Sequence, residues 1–222
     1  MTVTTLIQRI NYALRGTDDD APTEGTEEAD YWLSVVNQKK DEWARDPNES
    51  WRSLFEVRDA ADPTVSAGIQ VYDLDGDFIR PADSVYVMVG SDRHDFNLVS
   101  PELRDETPQA VYIIQTNPQT LVFNDSISAT DSIVGGTIYV PGYFLPADMT
   151  AFTDDVPVDD PNWLSMACAS EIAFNDVSYE DKASDINAKA NALYTQMKTT
   201  NKRGTPTNLR KVPTNVTRIR GF

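Results

Sequence analysis

Apolar positions along the chain change their period twice. Between Val3 and Arg15, Leu6, Ile7, Ile10, Ala13 and Leu14 recur at intervals of three and four, which puts them on one stripe of a helix, and Gly16 supplies its stop. The acid-rich stretch "TDDDAPTEGTEE" then reads as a solvated loop. A second helix starts near Thr26, with Glu27 and Glu28 placed favourably against the helix dipole. Trp32, Val35, Val36, Lys39 and Trp43 trace one of its faces, and Asp46-Pro47-Asn48 ends it.

From Trp51 the period falls to two. "WRSLFEVRD", "AGIQVYDL", "DFIRP", "SVYVMVG", "DFNLVS", "AVYIIQT", "TLVFN" and "GGTIYVPGY" are short, rich in β-branched and aromatic residues, and separated by turn signals. Asp75-Gly76 is the strongest hairpin signal among them, and Asn117-Pro118 marks another reversal. Helical spacing returns at Asp160-Pro161, a capping residue followed by proline at the first helical position. Trp163, Leu164, Ala167, Cys168, Glu171 and Ile172 carry that helix to about Asn175. Ser178, with Asp181 placed for a capping box, opens a last helix on which Ala183, Ile186, Ala190, Leu193 and Met197 form a seam. After Asn201 the periodicity stops, and Gly204, Pro206 and Pro213 among many Thr and Asn read as an extended arm.

The fold class expected is therefore α+β. N- and C-terminal helices (residues 1–48 and 151–201) form one helical bundle, an antiparallel β domain (49–150) is inserted into a single helix-to-helix connection, and an extended basic arm (202–222) follows. No apolar run approaches the roughly 18–20 residues that span a bilayer. The first helix is amphipathic rather than an unbroken signal-peptide block, so synthesis in a cytosol and no membrane association are expected.

Charge changes this picture most. The formal net charge is −16, yet no acidic residue occurs from Lys198 to Phe222. Seven of the 19 cations lie there: Lys198, Lys202, Arg203, Arg210, Lys211, Arg218 and Arg220. The first 197 residues hold the other 12 against 35 carboxylates. An acidic body argues against wrapping nucleic acid, because a phosphate backbone is repelled over most of it, although such a wall can border DNA that must slide past. The terminal stretch could be a solubilising tail, could follow phosphates, or could dock on a protein. Leu209, Val212, Val216, Ile219 and Phe222 favour docking, since a purely electrostatic tail needs no apolar side. "TNVTRIRGF" alternates well enough to add a strand to a sheet edge.

Candidate chemistry is sparse. Asp73, Asp75 and Asp77 suggest calcium, but glycine precedes the third acid and no glutamate closes the loop, so a strand with acids around an Asp-Gly turn explains them. Asp154, Asp155, Asp159 and Asp160 precede a helix, where solvation and capping suffice. His94 is the only histidine, and no serine or cysteine elbow accompanies it. Cys168, the single cysteine, reads as a small buried thiol. No catalytic residue, metal or cofactor is expected, and the reading is not an enzyme. Trp32, Trp43 and Trp163 are expected as core or subunit-interface anchors, given the enrichment of tryptophan at interfaces.

"YALRGTDDD" closing the first helix, "DYWLSVVNQKKDEWARD" in the second, and the closing pair "DDPNWLSMACASEIAFND" and "ALYTQMKTTNKR" resemble the head–tail adaptor (connector, head-completion or neck) proteins of tailed bacteriophages. The resemblance covers roughly residues 3–46 and 160–222; the β block of about 50–145 is longer than minimal helical members need. It implies a virion structural protein at the neck, between capsid and tail. It implies a homo-oligomeric ring, typically of twelve copies, beneath the portal, which extends the DNA channel and docks the tail. The portal and the next tail or neck protein would be its partners, with DNA as transient cargo. The arm that binds the portal would use Lys202, Arg203, Leu209, Arg210, Lys211, Val212, Arg218, Ile219, Arg220 and Phe222. The alternatives are a stopper or tail terminator, a carboxylate- or metal-dependent enzyme, and a nucleic-acid-binding protein led by its tail.

Overall fold

In a computed structural model the described residues are 1–203 without 18, 83 and 108. Among the described residues there are four α-helices, α1 (Val3–Arg15), α2 (Glu27–Ala44), α3 (Pro161–Asn175) and α4 (Glu180–Arg203). Between α2 and α3 the chain forms β1 (Phe55–Thr64), β2 (Val71–Asp73), β3 (Phe78–Pro81), β4 (Ser84–Val89), β5 (Asp92–Leu98), β6 (Ala110–Ile114), β7 (Thr120–Phe123) and β8 (Thr137–Phe144). The α+β class is as the sequence predicts.

The helix ends follow local chemistry. Gly16 adopts a left-handed φ of 77° and its N–H donates to the Tyr12 carbonyl, closing α1. Thr26 caps α2 by accepting from the Ala29 N–H, and Asp160 caps α3 by accepting from Asn162. The last helix departs from expectation. Ser178 lies in a short 3-10 turn whose cap is Asp176, and α4 begins only at Glu180. The Asp176 carboxylate takes the Ser178 N–H at 2.8 Å, so Ser178 is a recipient of capping rather than its source.

Eight strands form one sheet in the order β1-β8-β4-β5-β6-β7-β2, with β3 also on β8. It is mostly antiparallel. The exception is β5 with β6, which run parallel with Asn97 opposite Ala110 and Leu98 opposite Val111, so the wholly antiparallel domain is corrected. The connection allows this: a 3-10 turn at Pro101–Glu106 carries the chain back before β6 starts. Asp75-Gly76 does make a turn, with the Phe78 N–H on the Asp75 carbonyl at 3.0 Å, but not a hairpin. β2 pairs with β7 and β3 with β8, because Tyr72, Leu74 and Phe78 are all buried in the sheet core and pull the two short strands to different partners. At Asn117-Pro118, a cis peptide, β6 and β7 do pair antiparallel.

Two cores result. One is helical, with Leu6, Ile10, Trp32, Val36, Trp43, Leu164, Cys168 and Ile186 among its members, closed from below by Met149, Phe152, Val156 and Val158 of the β8–α3 connection. The other lies inside the sheet, built on Val85, Val87, Leu121, Ile138 and Val140. β8 joins them. Its Ile138, Val140 and Phe144 face the sheet core, while Tyr143 turns the other way and packs on the helical core. Gly142 makes this crossing possible, since a Cβ there would sit 2.7 Å from the Phe78 ring and 2.8 Å from the Arg80 carbonyl. Lys40 fixes the connection further. Its stem is wholly buried and its ammonium bonds the Pro146 carbonyl at 2.7 Å and Asp148 at 2.9 Å.

Candidate docking interface at the junction of α4 and β1

Asp46-Pro47-Asn48 ends α2 because proline cannot continue the ladder, and the Asp46 carboxylate then takes the Asn48 amide of the turn. One of its oxygens accepts from the Asn48 N–H at 2.9 Å. The other receives the Tyr194 hydroxyl and the Lys198 ammonium, the latter at 2.8 Å. Both partners come from α4. The Asp46 side chain is 11% exposed. Burial alone would push its carboxyl up, but Lys198, Tyr194 and the Asn48 amide outweigh it and hold the group down at about 2. In return, burial and the adjacent carboxylate push the Tyr194 phenol well above its ordinary range.

One turn further along α4 the pattern repeats. Glu49, 3% exposed, receives the Lys202 ammonium at 3.4 Å, and Asn201 bonds both Glu49 at 3.4 Å and the Ser50 carbonyl at 3.2 Å. A buried carboxylate without such partners would be costly. Here it ties the last described turn of α4 to residues 49 and 50. Beneath the polar contacts lies an aromatic stack. Trp51 packs on Trp43 with ring centres 5.4 Å apart and donates its indole N–H to the Trp43 carbonyl at 2.7 Å. Tyr194 bridges Trp51 at 6.1 Å and Trp163 at 5.1 Å. The last turns of α4 are thus clamped to residues 46–51, immediately before β1.

From this clamp the chain enters β1, the terminal strand of the sheet order, which is paired only with β8 among the described residues. Its side chains alternate. Arg58 and Ala60 face inward, Arg58 lying 4.1 Å above the Phe144 ring and bonded to Glu56 and Asp77. Phe55 and Val57 face outward and are 45% and 47% exposed. On the same face Phe55 meets Tyr143 edge-on at 5.9 Å, and Tyr139 stacks on Tyr86 at 5.2 Å, with Arg93 lying 3.9 Å over Tyr86. The start of β1 is an apolar, aromatic edge beside the place where α4 stops.

Of the residues predicted for the docking arm, Lys202 and Arg203 are the closing residues of α4, so the first two positions assigned to an extended arm are helical. The helix continues because Lys198, Asn201 and Lys202 all find partners on residues 46–50. Leu209, Arg210, Lys211, Val212, Arg218, Ile219, Arg220 and Phe222 lie outside the described residues. Trp32, Trp43 and Trp163 are buried in the helical core of one chain. Their rings are covered within that chain. Exposed apolar residues of the helical region that periodicity does not single out include Tyr12, Tyr31, Phe174 and Val177, of which Tyr31 and Val177 line one cleft between the N-terminal end of α2 and the C-terminal end of α3.

The remaining chemistry is accounted for locally. Arg58 lies between Glu56 and Asp77, with Asp75 at 4.0 Å. Asp154 accepts the Thr150 and Ala151 N–H groups at 2.7 and 2.9 Å, and these bonds hold its carboxyl below its ordinary value. His94 sits half-buried on β5. Burial pushes the Cys168 thiol far up, away from nucleophilic character. Among the described residues no group of three or more His, Cys, Asp or Glu is placed to hold a metal ion, and no helix is long and apolar enough to cross a membrane.

A family model described as SU10 adaptor protein matches residues 1–213, running through the sheet as well as the helices. No curated protein matches the chain.

Proposed function

This chain belongs to the SU10 adaptor protein family, and from that premise we propose that it forms a ring beneath the phage portal, with its C-terminal segment docked on portal subunits. As an adaptor it is a structural component of the virion that contacts other head and tail proteins. The ring extends the DNA channel and offers the tail its landing surface, and no turnover is required.

The observation that carries this reading is the clamp of α4 on residues 46–51. A basic, partly apolar segment is useful for docking only if it leaves the body at a defined point, and the Asp46–Lys198 and Glu49–Lys202 pairs define one. The electrostatics of the body agree with a channel lining. Arg15, Lys39, Lys40, Arg58 and Arg93 each sit against a carboxylate of the same chain, so the excess of acids faces outward unneutralised. Tyr31, Phe174 and Val177, rather than the buried tryptophans, carry the contact between neighbouring copies.

Sedimentation of the purified chain with portal rings tests the reading. The chain ended after Arg203 is expected to fold normally and to lose portal binding. Retained binding by that truncated chain would refute the docking role. If the full chain binds an assembled neck instead of a bare portal ring, the stopper or tail-terminator assignment takes its place.

A further inference from the structure

We propose that, before any partner is engaged, residues 204–222 fold back on their own chain as an added strand along the free edge of β1 at Phe55–Asp59. The contact stands on its own geometry; its consequence, that a partner must strip the segment from β1, rests on the docking reading above.

Four observations converge on this occupant. The first is the edge itself. Phe55–Asp59 pair with Tyr143–Tyr139 of β8, and no second strand is hydrogen-bonded to them among the described residues, although β2 passes near β1. An edge strand whose outward face is half-exposed phenylalanine and valine is an aggregation site if left bare. β1 protects its far half with Asp62-Pro63, but nothing comparable guards its beginning.

The second is position. Asn201 and Lys202 touch Ser50 and Glu49, so the segment starts within five residues of Phe55, at most about 17 Å of chain. Nineteen residues follow Arg203, with an extended reach of about 60 Å. Four or five bridge the gap, and the rest can run alongside the strand.

The third is charge. The near half of β1 carries exposed Glu56 and Asp59, and Arg58, its cation, is already bonded to Glu56 and Asp77. The segment carries Arg210, Lys211, Arg218 and Arg220 and no acid. The fourth is pattern. Within "TNVTRIRGF", Thr217, Arg218, Ile219 and Arg220 alternate β-branched and cationic side chains, which suits a strand with Thr217 and Ile219 on Phe55 and Val57 and the arginines near Glu56. Tethering through α4 sets the local concentration in the millimolar range, which favours the chain's own edge over that of another copy.

Hydrogen exchange at Phe55–Asp59 decides the matter. In the full chain, the amides of this stretch that point away from β8 are expected to exchange about tenfold or more slowly than in the chain ended after Arg203. The circular dichroism of the two chains should coincide. A full-length Glu56→Lys, Asp59→Lys chain should regain fast exchange there and be cut faster by trypsin after Arg210 and Lys211. Equal exchange in full and truncated chains overturns the proposal. So does protection that rises with protein concentration, which would assign the edge to a second copy's segment. Portal binding by the same two chains separates the readings. Binding lost on truncation with unchanged exchange removes the fold-back alone, and binding retained with changed exchange removes the docking role alone.

Discussion

Asp46→Asn isolates the clamp on which the exit point of the C-terminal segment depends. The substitution keeps the side chain's size and the turn at Pro47, and it removes the charge that Lys198 and Tyr194 converge on. In the folded chain the carboxyl titrates at about 2, against 3.8 for an unperturbed aspartate. Each factor of ten in proton affinity is worth about 1.4 kcal/mol, so at neutral pH the ionised group contributes about 2 kcal/mol after a modest discount for solvent screening. A carboxylate whose folded pKa lies below its unfolded value gives its full contribution above the unfolded value. It loses that contribution as pH falls through the folded one. The difference between wild type and Asp46→Asn is therefore expected at pH 7, to persist to about pH 5, and to fall below about 1 kcal/mol near pH 2.5. Urea unfolding reads it directly. With a slope near the upper end of about 1–3 kcal/mol per molar for a chain of this size, the midpoint at pH 7 drops by about 0.7 M. A drop below about 0.2 M, or a gap of the same size at pH 7 and pH 2.5, would refute the reasoning. Lys198→Met should reproduce most of the loss, and combining the two should add little, since they remove one interaction.

Three further outcomes follow from the packing. Trp51→Ala removes the ring between Trp43 and Tyr194 together with the bond to the Trp43 carbonyl, and should cost about 3–5 kcal/mol by denaturant unfolding. Gly142→Ala places a methyl group 2.8 Å from a backbone carbonyl that cannot move aside, so a loss of about 2–3 kcal/mol is expected, read as a lower melting temperature. Cys168, buried with its thiol pushed far up, should resist a thiol reagent in the native chain and react stoichiometrically once urea unfolds it. Rapid labelling of the folded protein would contradict the burial.

How legible the molecule was in its sequence varied from element to element. The seam Ala183, Ile186, Ala190, Leu193 and Met197 is readable because helical period is a local property; four of its members are buried and Leu193 is half-buried against the same core. On α2 the same logic missed one residue. Lys39 does lie on the packed face, 15% exposed and paired with Glu171 of α3, but Lys40, which the periodicity does not single out, is the lysine whose stem is wholly buried. Its carbonyl and carboxylate partners lie 106 and 108 residues away, where no local pattern can point. The clamp shows the same limit. Asp46 was legible as a helix-ending turn, but its partners Tyr194 and Lys198 and the burial of Glu49 required α4 to be laid across residues 46–51. Arg203 as a helical residue was missed for the same reason.

By itself the sequence determined what depends on near neighbours: the four helices and their order around a strand block, most caps and turns, and the separation of an acidic body from a basic end. Only the tertiary structure decided which strands pair, why Asp75-Gly76 turns without making a hairpin, and why β5 and β6 run parallel. It also decided that the tryptophans close a core instead of facing outward, and that the last described turns of α4 are held to residues 46–51, shortly before β1. The physical reason is range. Periodicity and capping are set by contacts within a few residues, whereas strand partners, buried charges and exposed edges are set by burial competing across the whole chain.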